Sequence, residues 1–474
     1  MGYSRPRIAS SCGQLGRSDI KGGLTSTQRA YVSQTGTLRA RLHNDAAPVA
    51  GSRAQFAVRV RFAHNHDQAP PFAAAPLPSA RTAGWRALSV FSGCGGLDLG
   101  FLQEGIFASA AHDIDGKALA TYARNIPSTT IRANLAETIP SSCDNHVLLA
   151  GAPCQGFSTA GKREVEDPRN ALLMRVADIA LHNHSQVVVV ENVPAATSGP
   201  HRRHWEALED RLRLAGYNVR RVVLEGEASG LAQRRRRLFL LCWLGSDCIN
   251  ILLPAKPALT VREAFGGLEG VDDHDVVWPH RSHKDWQIAR HIPPGHRLSN
   301  VRRSDRTVAT WDIPEVYGDT SEEERRVLTA VSRLRRRDRV RTFGDGDPVP
   351  RDRISQELGR DADVDIERLI AAGYLRPVEK LVELRQTYNG RYRRLIWDAA
   401  APTVDTKFGR MDLFLHPSEH RGMTSREAAR IQGFPDAFRL TGSAKDKFVQ
   451  IGNAVPPPMA AAIAAFVREA LLKA

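Results

Sequence analysis

The stretch Ala87-Leu88-Ser89-Val90-Phe91-Ser92-Gly93-Cys94-Gly95-Gly96 decides the fold. A short apolar run ends in a glycine-rich turn, and the amphipathic segment Leu97 to Glu104 follows at once. Such a turn brings backbone close to a ligand at a helix N-terminus, or simply lets a helix pack on a sheet. Asp113 lies twenty residues beyond Gly93, after the next apolar run, where a ribose-hydroxyl acceptor stands in nucleotide-binding folds. The turn is not the strict G-x-G-x-x-G of dinucleotide folds.

The same rhythm recurs along the chain. Val147 to Ala150 runs into Gly151-Ala152-Pro153-Cys154, Val187 to Val190 into Glu191-Asn192-Val193-Pro194, and Leu238 to Trp243 follows an arginine run. Short apolar strands alternating with helices predict a mostly parallel α/β sheet covered on both faces. Ligands in such sheets sit at the carboxyl ends of the strands, so the residues just after each strand are the ones to read for chemistry.

The 474 residues, 42% hydrophobic and 25% charged, are ample for several packed domains. Lysine and arginine exceed acids by fourteen, which favours polyanionic partners. Eight of those charges lie in residues 1–84, which hold 11 Lys+Arg against Asp19, Asp45 and Asp67. That segment reads as a disordered basic extension: a transit peptide, a nucleic-acid arm, or a start codon placed upstream. No apolar run reaches membrane-spanning length, and no secretory h-region precedes residue 84. Cys12, Cys94, Cys143, Cys154, Cys242 and Cys248 are scattered with no C-x-x-C pair, so neither a disulfide framework nor a structural metal site is expected. The expected setting is cytoplasmic, associated with the nucleoid.

Four features carry candidate chemistry. Cys154 sits in the loop Gly151-Ala152-Pro153-Cys154-Gln155-Gly156 directly after a buried strand; it is either a nucleophile or a small buried hydrophobe. Glu191 ends four valines, where desolvation should raise its pKa and let it share a proton, unless it is simply a strand-end surface carboxylate. Gln233, Arg235 and Arg237 alternate before a strand, so all three could point at one ligand, or the run could be a solvated face. Gly452-Asn453-Ala454-Val455 turns into a closing helix.

Together these motifs, with Arg426-Glu427-Ala428-Ala429-Arg430-Ile431-Gln432-Gly433-Phe434-Pro435 between the last two, resemble the C5-cytosine DNA methyltransferase family. The resemblance covers about residues 86–268 and 390–474. It implies a Rossmann-like class I methyltransferase domain, S-adenosylmethionine as cofactor and duplex DNA as substrate. Phe91, Gly93, Gly95 and Gly96 would cradle the cofactor, with Asp113 on the ribose, Ile114 against the adenine, and Leu172 and Asn453 completing the pocket. Asn134 stands where the family usually carries an aspartate, leaving an uncharged acceptor. Cys154 would attack carbon 6 of a flipped cytosine, with Glu191 at ring nitrogen 3 and Arg235 and Arg237 among the catalytic side chains. Asn192 would brace the loop, and Gly161, Lys162 and Arg163 would lie on a closing segment.

The resemblance divides the chain into a catalytic domain over 85–255, completed by 423–474, and a target-recognition domain over 256–422. Within the latter, Ser321 to Arg337, Asp352 to Leu358 and Asp363 to Ala372 read as three helices followed by a strand, similar to a winged helix-turn-helix or else a helical spacer. If this insert contacts DNA, Arg333, Arg335, Arg336 and Arg337 should carry the contact. A cognate restriction endonuclease and monomeric action are further expectations. A transfer RNA cytosine methyltransferase and a catalytically idle DNA-binding regulator are the alternatives.

Overall fold

The computed structural model describes residues 84–142, 145–153, 171–245, 256–301, 304–342 and 346–473. The first strand, β1 (Trp85–Val90), is followed by α1 (Gly96–Gln103), β2 (Ile106–Asp113), α2 (Gly116–Asn125), β3 (Thr129–Arg132) and β4 (Val147–Ala150). Then come α3 (Leu172–His182), β5 (Val187–Asn192), α4 (Arg202–Leu214), β6 (Asn218–Glu225), the two-residue β7 (Gln233–Arg234) and β8 (Arg236–Trp243). Seven strands form one sheet in the order β3-β2-β1-β4-β5-β8-β6. The pairs from β3 through β5 are parallel, and β8 runs antiparallel to both β5 and β6.

Composition explains the placement. The central strands β4 (Val-Leu-Leu-Ala) and β5 (four valines, Glu, Asn) are buried along their whole length, as expected of strands covered on both faces. Edge strand β3, Thr-Thr-Ile-Arg, is mostly exposed. Alternate residues serve opposite layers. Ala87, Val147, Leu149, Val187 and Val189 pack on α1 and the C-terminal helix, whereas Leu88, Val90, Leu148, Val188 and Val190 pack on α3 and α4.

A short helix α5 (Val261–Phe265), capped by Thr260 and Glu263, packs back on the sheet's helical layer together with Leu395, Val404 and Phe408. The recognition range expected over 256–422 is therefore not one packing unit, because both of its ends share apolar contacts with the catalytic layer. Between them lie α6 (Lys284–Ala289), α7 (Pro314–Tyr317), α8 (Glu322–Arg337), α9 (Arg351–Leu358) and α10 (Asp363–Ala372). Ser321 and Glu324 form the capping box of α8. The last three helices enclose their own core, including Val327, Val331, Ile354, Ile366 and Leu369, against a small antiparallel sheet. Its strand order is Val349–Pro350, Leu381–Leu384, Leu375–Val378. Three helices with a strand after the first and a hairpin after the third make a winged-helix arrangement.

The chain closes with α11 (Ser425–Ile431), α12 (Ala444–Asn453) and α13 (Pro457–Lys473). The span Ala444–Leu472 is long and apolar enough to cross a membrane, yet its apolar window is 67% buried inside the protein. Met459, Ile463, Phe466 and Val467 supply that burial against α1 and the sheet. The approach is close: a Cβ on Gly100 would stand 2.4 Å from the Pro457 carbonyl oxygen.

Candidate active site

The strands end in register. Val90 of β1 faces Ala150 of β4, which faces Val190 of β5, so Phe91, Gly151 and Glu191 form the next row. Antiparallel β8 starts where β5 stops, with Leu238 opposite Asn192, and this brings Arg237 to the same edge. Arg237 Nε lies 2.7 Å from Glu191 Oε1, with side-chain exposures of only 13% and 10%. Burial lifts the Glu191 carboxyl above its ordinary value, and the Arg237 and Arg235 charges counter that only in part. Raised in this way, the carboxyl is suited to sharing a proton with a substrate nitrogen.

Gly151 is required here because an added Cβ would sit 2.9 Å from the Phe91 carbonyl oxygen. The Asn192 amide donates to the Ala152 carbonyl (3.3 Å), and its Oδ1 accepts from Val193 N–H (2.8 Å). These bonds tie the loop to the end of β5 at Ala152. Cys154, with Gly161, Lys162 and Arg163, lies outside the described residues. The two free cysteines among the described residues are buried, and burial pushes the Cys94 thiol up to about 12 and Cys242 higher than its ordinary value. Neither is a nucleophile at neutral pH.

On the other side of β1, Gly93 N–H and Asp115 N–H each donate to one oxygen of Asp113, both at 2.8 Å. These bonds fix the carboxylate while leaving each oxygen a further lone pair, although burial raises its pKa. Ile114 beside it is 60% exposed, an apolar side chain open to cover by a ring. Phe91 takes φ 52°, unusual for a bulky residue, and Gly93 at φ 54° faces open space. Gly95 and Gly96 serve packing instead: Cβ atoms there would meet Ile126 at 2.5 Å and the Val455 carbonyl at 2.3 Å. The glycine turn therefore divides its work, one glycine facing outward and two admitting neighbouring chain.

For Gly95 that neighbour is Tyr122 and Ile126 at the end of α2, and for Gly96 it is the C-terminal motif. Cys94 Sγ contacts the Gln450 carbonyl at 3.6 Å, and Asn453, exposed at the end of α12, follows two residues after Ile451 in the same segment. Ala133 N–H bonds the Asp113 carbonyl (3.0 Å), so Asn134 also stands near the turn. Its Oδ1 accepts from Ala136 N–H (3.2 Å) and its amide donates to Glu137 (2.6 Å), a local turn that occupies part of its acceptor capacity. Leu172 opens α3 and is half-buried.

Gln233 and Arg235 do not converge with Arg237. Strand pairing breaks at Arg235, between β7 and β8, so simple alternation fails there. Arg235 is 1% exposed, and its guanidinium donates to the carbonyls of Val404 (2.8 Å), Gly452 (3.2 Å) and Ala454 (3.0 Å). Gln233 bonds the Ile431 carbonyl (3.1 Å) and accepts from Val404 N–H (3.2 Å), while Gln432 donates to Ala454 (2.8 Å). This buried knot ties residues 404, 431–432 and 452–454 to the sheet. Sequence reading missed it because a charge run gives no sign of which member is buried.

The arginines expected to reach DNA from α8 are also engaged within the protein. Arg335 is buried opposite Glu383 at 4.0 Å, Arg333 and Arg337 both pair with Glu357, and Arg336 donates to the Val301 carbonyl (2.7 Å). The helix that would enter a groove, α10, begins with Asp363, Asp365 and Glu367, which a phosphate backbone repels.

A mostly parallel sheet with an antiparallel β8, a hydrogen-bonded carboxylate at the end of β2 and a buried carboxyl paired with arginine at the end of β5 belong to a Rossmann-like class I methyltransferase fold. The chain belongs to the C-5 cytosine-specific DNA methylase family, whose model matches residues 85–468, and its enzyme class is DNA (cytosine-5)-methyltransferase. It is similar to type II methyltransferase M.AgeI of Thalassovita gelatinovora, 28% identical over 81% of this chain and 100% of that one. Type II methyltransferase M.XorII of Xanthomonas oryzae pv. oryzae is 28% identical over 81% of this chain and 85% of its own. DNA (cytosine-5)-methyltransferase 1 of Mus musculus is 28% identical over 85% of this chain and 29% of its own.

Proposed function

We propose that the chain methylates carbon 5 of a cytosine flipped out of a specific duplex DNA sequence, through a covalent adduct on Cys154. The observation that carries the reading is the buried Glu191–Arg237 pair, placed at the strand end next to the braced Gly151–Pro153 loop that leads to Cys154. Carbon 5 of cytosine is a poor nucleophile until something adds to carbon 6. A Cys154 thiolate is soft enough to form that S–C6 bond and later to leave. Glu191, its pKa raised, donates or shares a proton at ring nitrogen 3, and Arg237 holds Glu191 in place and supports the ring oxygen. Carbon 5 of the activated ring would then take the methyl group as its bond to the sulfonium sulfur breaks and leaves a thioether; loss of the carbon 5 proton to water and breaking of the S–C6 bond would restore aromaticity and free the Cys154 thiolate. The target must leave the base stack, at a cost of a few kcal/mol.

The residues present fit S-adenosylmethionine: an outward Gly93, a fixed Asp113 with spare lone pairs, and an exposed apolar Ile114 beside it. When bound, it supplies an electrophilic methyl group on a sulfonium. Phe91, Asn134, Leu172 and Asn453 complete the pocket in this reading, Gly95 and Gly96 shape it from behind, and Arg235 acts by positioning Asn453. Residues 85–255 with 423–474 carry the chemistry and 256–422 the recognition of sequence, while 1–84 form a basic extension. The enzyme acts as a monomer, and its role is modification within a restriction-modification pair or alone, as the names of its type II relatives suggest.

The test is transfer of labelled methyl from S-adenosylmethionine to mixed-sequence duplex DNA by wild type and Cys154→Ala, with adduct trapping on 5-fluorocytosine DNA. Label on carbon 5 and a trapped adduct, both lost in the variant, are expected. Label on transfer RNA alone would replace this reading with the RNA alternative, and no label on either would favour the idle regulator.

A further inference from the structure

Arginines in the described part of this protein are mostly neutralised. Arg421 pairs with Glu427, Arg430 with Asp436, Arg262 with Asp398, and Arg333 and Arg337 with Glu357. Three are not. Arg234, Arg297 and Arg393 have no carboxylate partner among the described residues, and the one bond made by their guanidiniums is a long contact from Arg234 to the Ala400 carbonyl, 3.4 Å.

The fold nevertheless draws these three together from distant parts of the sequence. Arg234 ends β7, which pairs with Ala401–Pro402 beside the catalytic sheet, and its carbonyl accepts from Thr403 Oγ1 at 2.7 Å. Arg297 and Arg393 belong to neighbouring strands of the second domain: Leu298 bridges Arg391, and Arg394 N–H bonds the His296 carbonyl at 3.0 Å. Arg393 is half-buried; burial first, then the charges of Arg297 and Arg234, work against its protonation. Like charges held close and partly desolvated are unfavourable unless an anion joins them. Arg234 stands three residues before Arg237, so the cluster lies where the catalytic edge meets the second domain.

We propose that Arg234, Arg297 and Arg393 form a phosphate clamp that grips the DNA backbone at the junction of the two domains, next to the site of the flipped base. The clamp rests on the proposed function above. Its chemistry suits a phosphodiester: guanidiniums fork onto phosphate oxygens, and contacts from both domains would fix the register of the strand without reading its sequence. It also gives the basic contact surface that the internally paired arginines of α8 do not provide.

The experiment measures duplex DNA binding by fluorescence anisotropy across a salt series, using the full-length wild type, the single variants Arg234→Gln and Arg393→Gln, the triple variant Arg234→Gln/Arg297→Gln/Arg393→Gln, and Arg333→Gln/Arg337→Gln. Each phosphate contact contributes about 0.9 to the slope of log affinity against log salt. The expected result is a slope shallower by about 1 in each single variant and by roughly 2 to 3 in the triple, with the α8 pair unchanged. Melting temperatures of the single variants should not fall, because repulsion is relieved. Wild-type slope in the single and triple variants would overturn the clamp while leaving the methyltransferase reading intact. A wild type that binds S-adenosylmethionine but no duplex would overturn both.

Discussion

Replacing Arg235 with lysine separates a positioning role from a catalytic one. The guanidinium is 1% exposed and donates to three backbone carbonyls, two of which flank Asn453. An ammonium is a point donor and cannot fork across Val404, Gly452 and Ala454 together, so two of the three bonds should be lost. A charged hydrogen bond contributes about 1.5–3 kcal/mol and a buried acceptor left unpaired costs about 1–3 kcal/mol. Arg235→Lys should therefore lower unfolding free energy by about 2–5 kcal/mol, measured by urea denaturation. The Gln432 amide still holds Ala454, so the segment loosens rather than detaches. If about 1.4 kcal/mol of that loosening is recovered only on cofactor binding, the KM for S-adenosylmethionine rises roughly tenfold, with kcat changed a few-fold at most. Steady-state kinetics in both substrates, with calorimetric titration of the cofactor, measure the split. A hundredfold loss of kcat with stability and KM intact would refute the reasoning and make Arg235 a group that touches the reacting base.

Glu191→Gln keeps the size of the side chain and removes its proton exchange; kcat should fall by about a hundredfold. Because burial raises the Glu191 pKa, wild-type kcat should decline as pH rises through that value, and a pH profile of the variant should lack this limb. Asp98 is 2% exposed, bonded by Tyr122 Oη at 3.0 Å, and pushed by burial up to about 6 from an ordinary 3.8. A folded-state pKa above the unfolded one means stability is highest in acid and is lost as pH rises through about 6. At about 1.4 kcal/mol per unit, the loss is about 3 kcal/mol by neutrality. Chemical denaturation of Asp98→Asn against pH should show that component gone; parallel curves would contradict it. Gly96→Ala, whose Cβ would meet the Val455 carbonyl at 2.3 Å, should cost about 1–3 kcal/mol by overpacking and weaken cofactor binding through the C-terminal segment. Gly93→Ala meets no atom and should show only the left-handed backbone cost of roughly 1–2 kcal/mol, so thermal melts of the two variants should differ in that order.

The strands and their ends were legible because a strand buried on both faces must be continuously apolar. Val147 to Ala150 and Val187 to Val190 have no other reading, and the residues after them fall at the ligand edge by chain geometry alone. The three helices of the insert were legible too, since the Ser321–Glu324 capping box and the apolar spacing are local. What each arginine does was not legible. The run Gln233 to Arg237 places Arg237 on Glu191, buries Arg235 among carbonyls and leaves Arg234 without an acid among the described residues, although all three carry the same charge on adjacent or alternate positions.

The sequence by itself determined the alternating α/β order, the glycine turn, the position of Glu191 and the family pattern, because each depends on residues near one another in the chain. Only the tertiary structure decided that Gly96 admits the C-terminal segment, that Arg333, Arg335 and Arg337 of α8 face acids of the insert itself, and that Arg297 and Arg393 stand on neighbouring strands. Burial and charge pairing are set by contacts between residues up to hundreds of positions apart, and a local pattern of side-chain types does not specify which charges will find a partner.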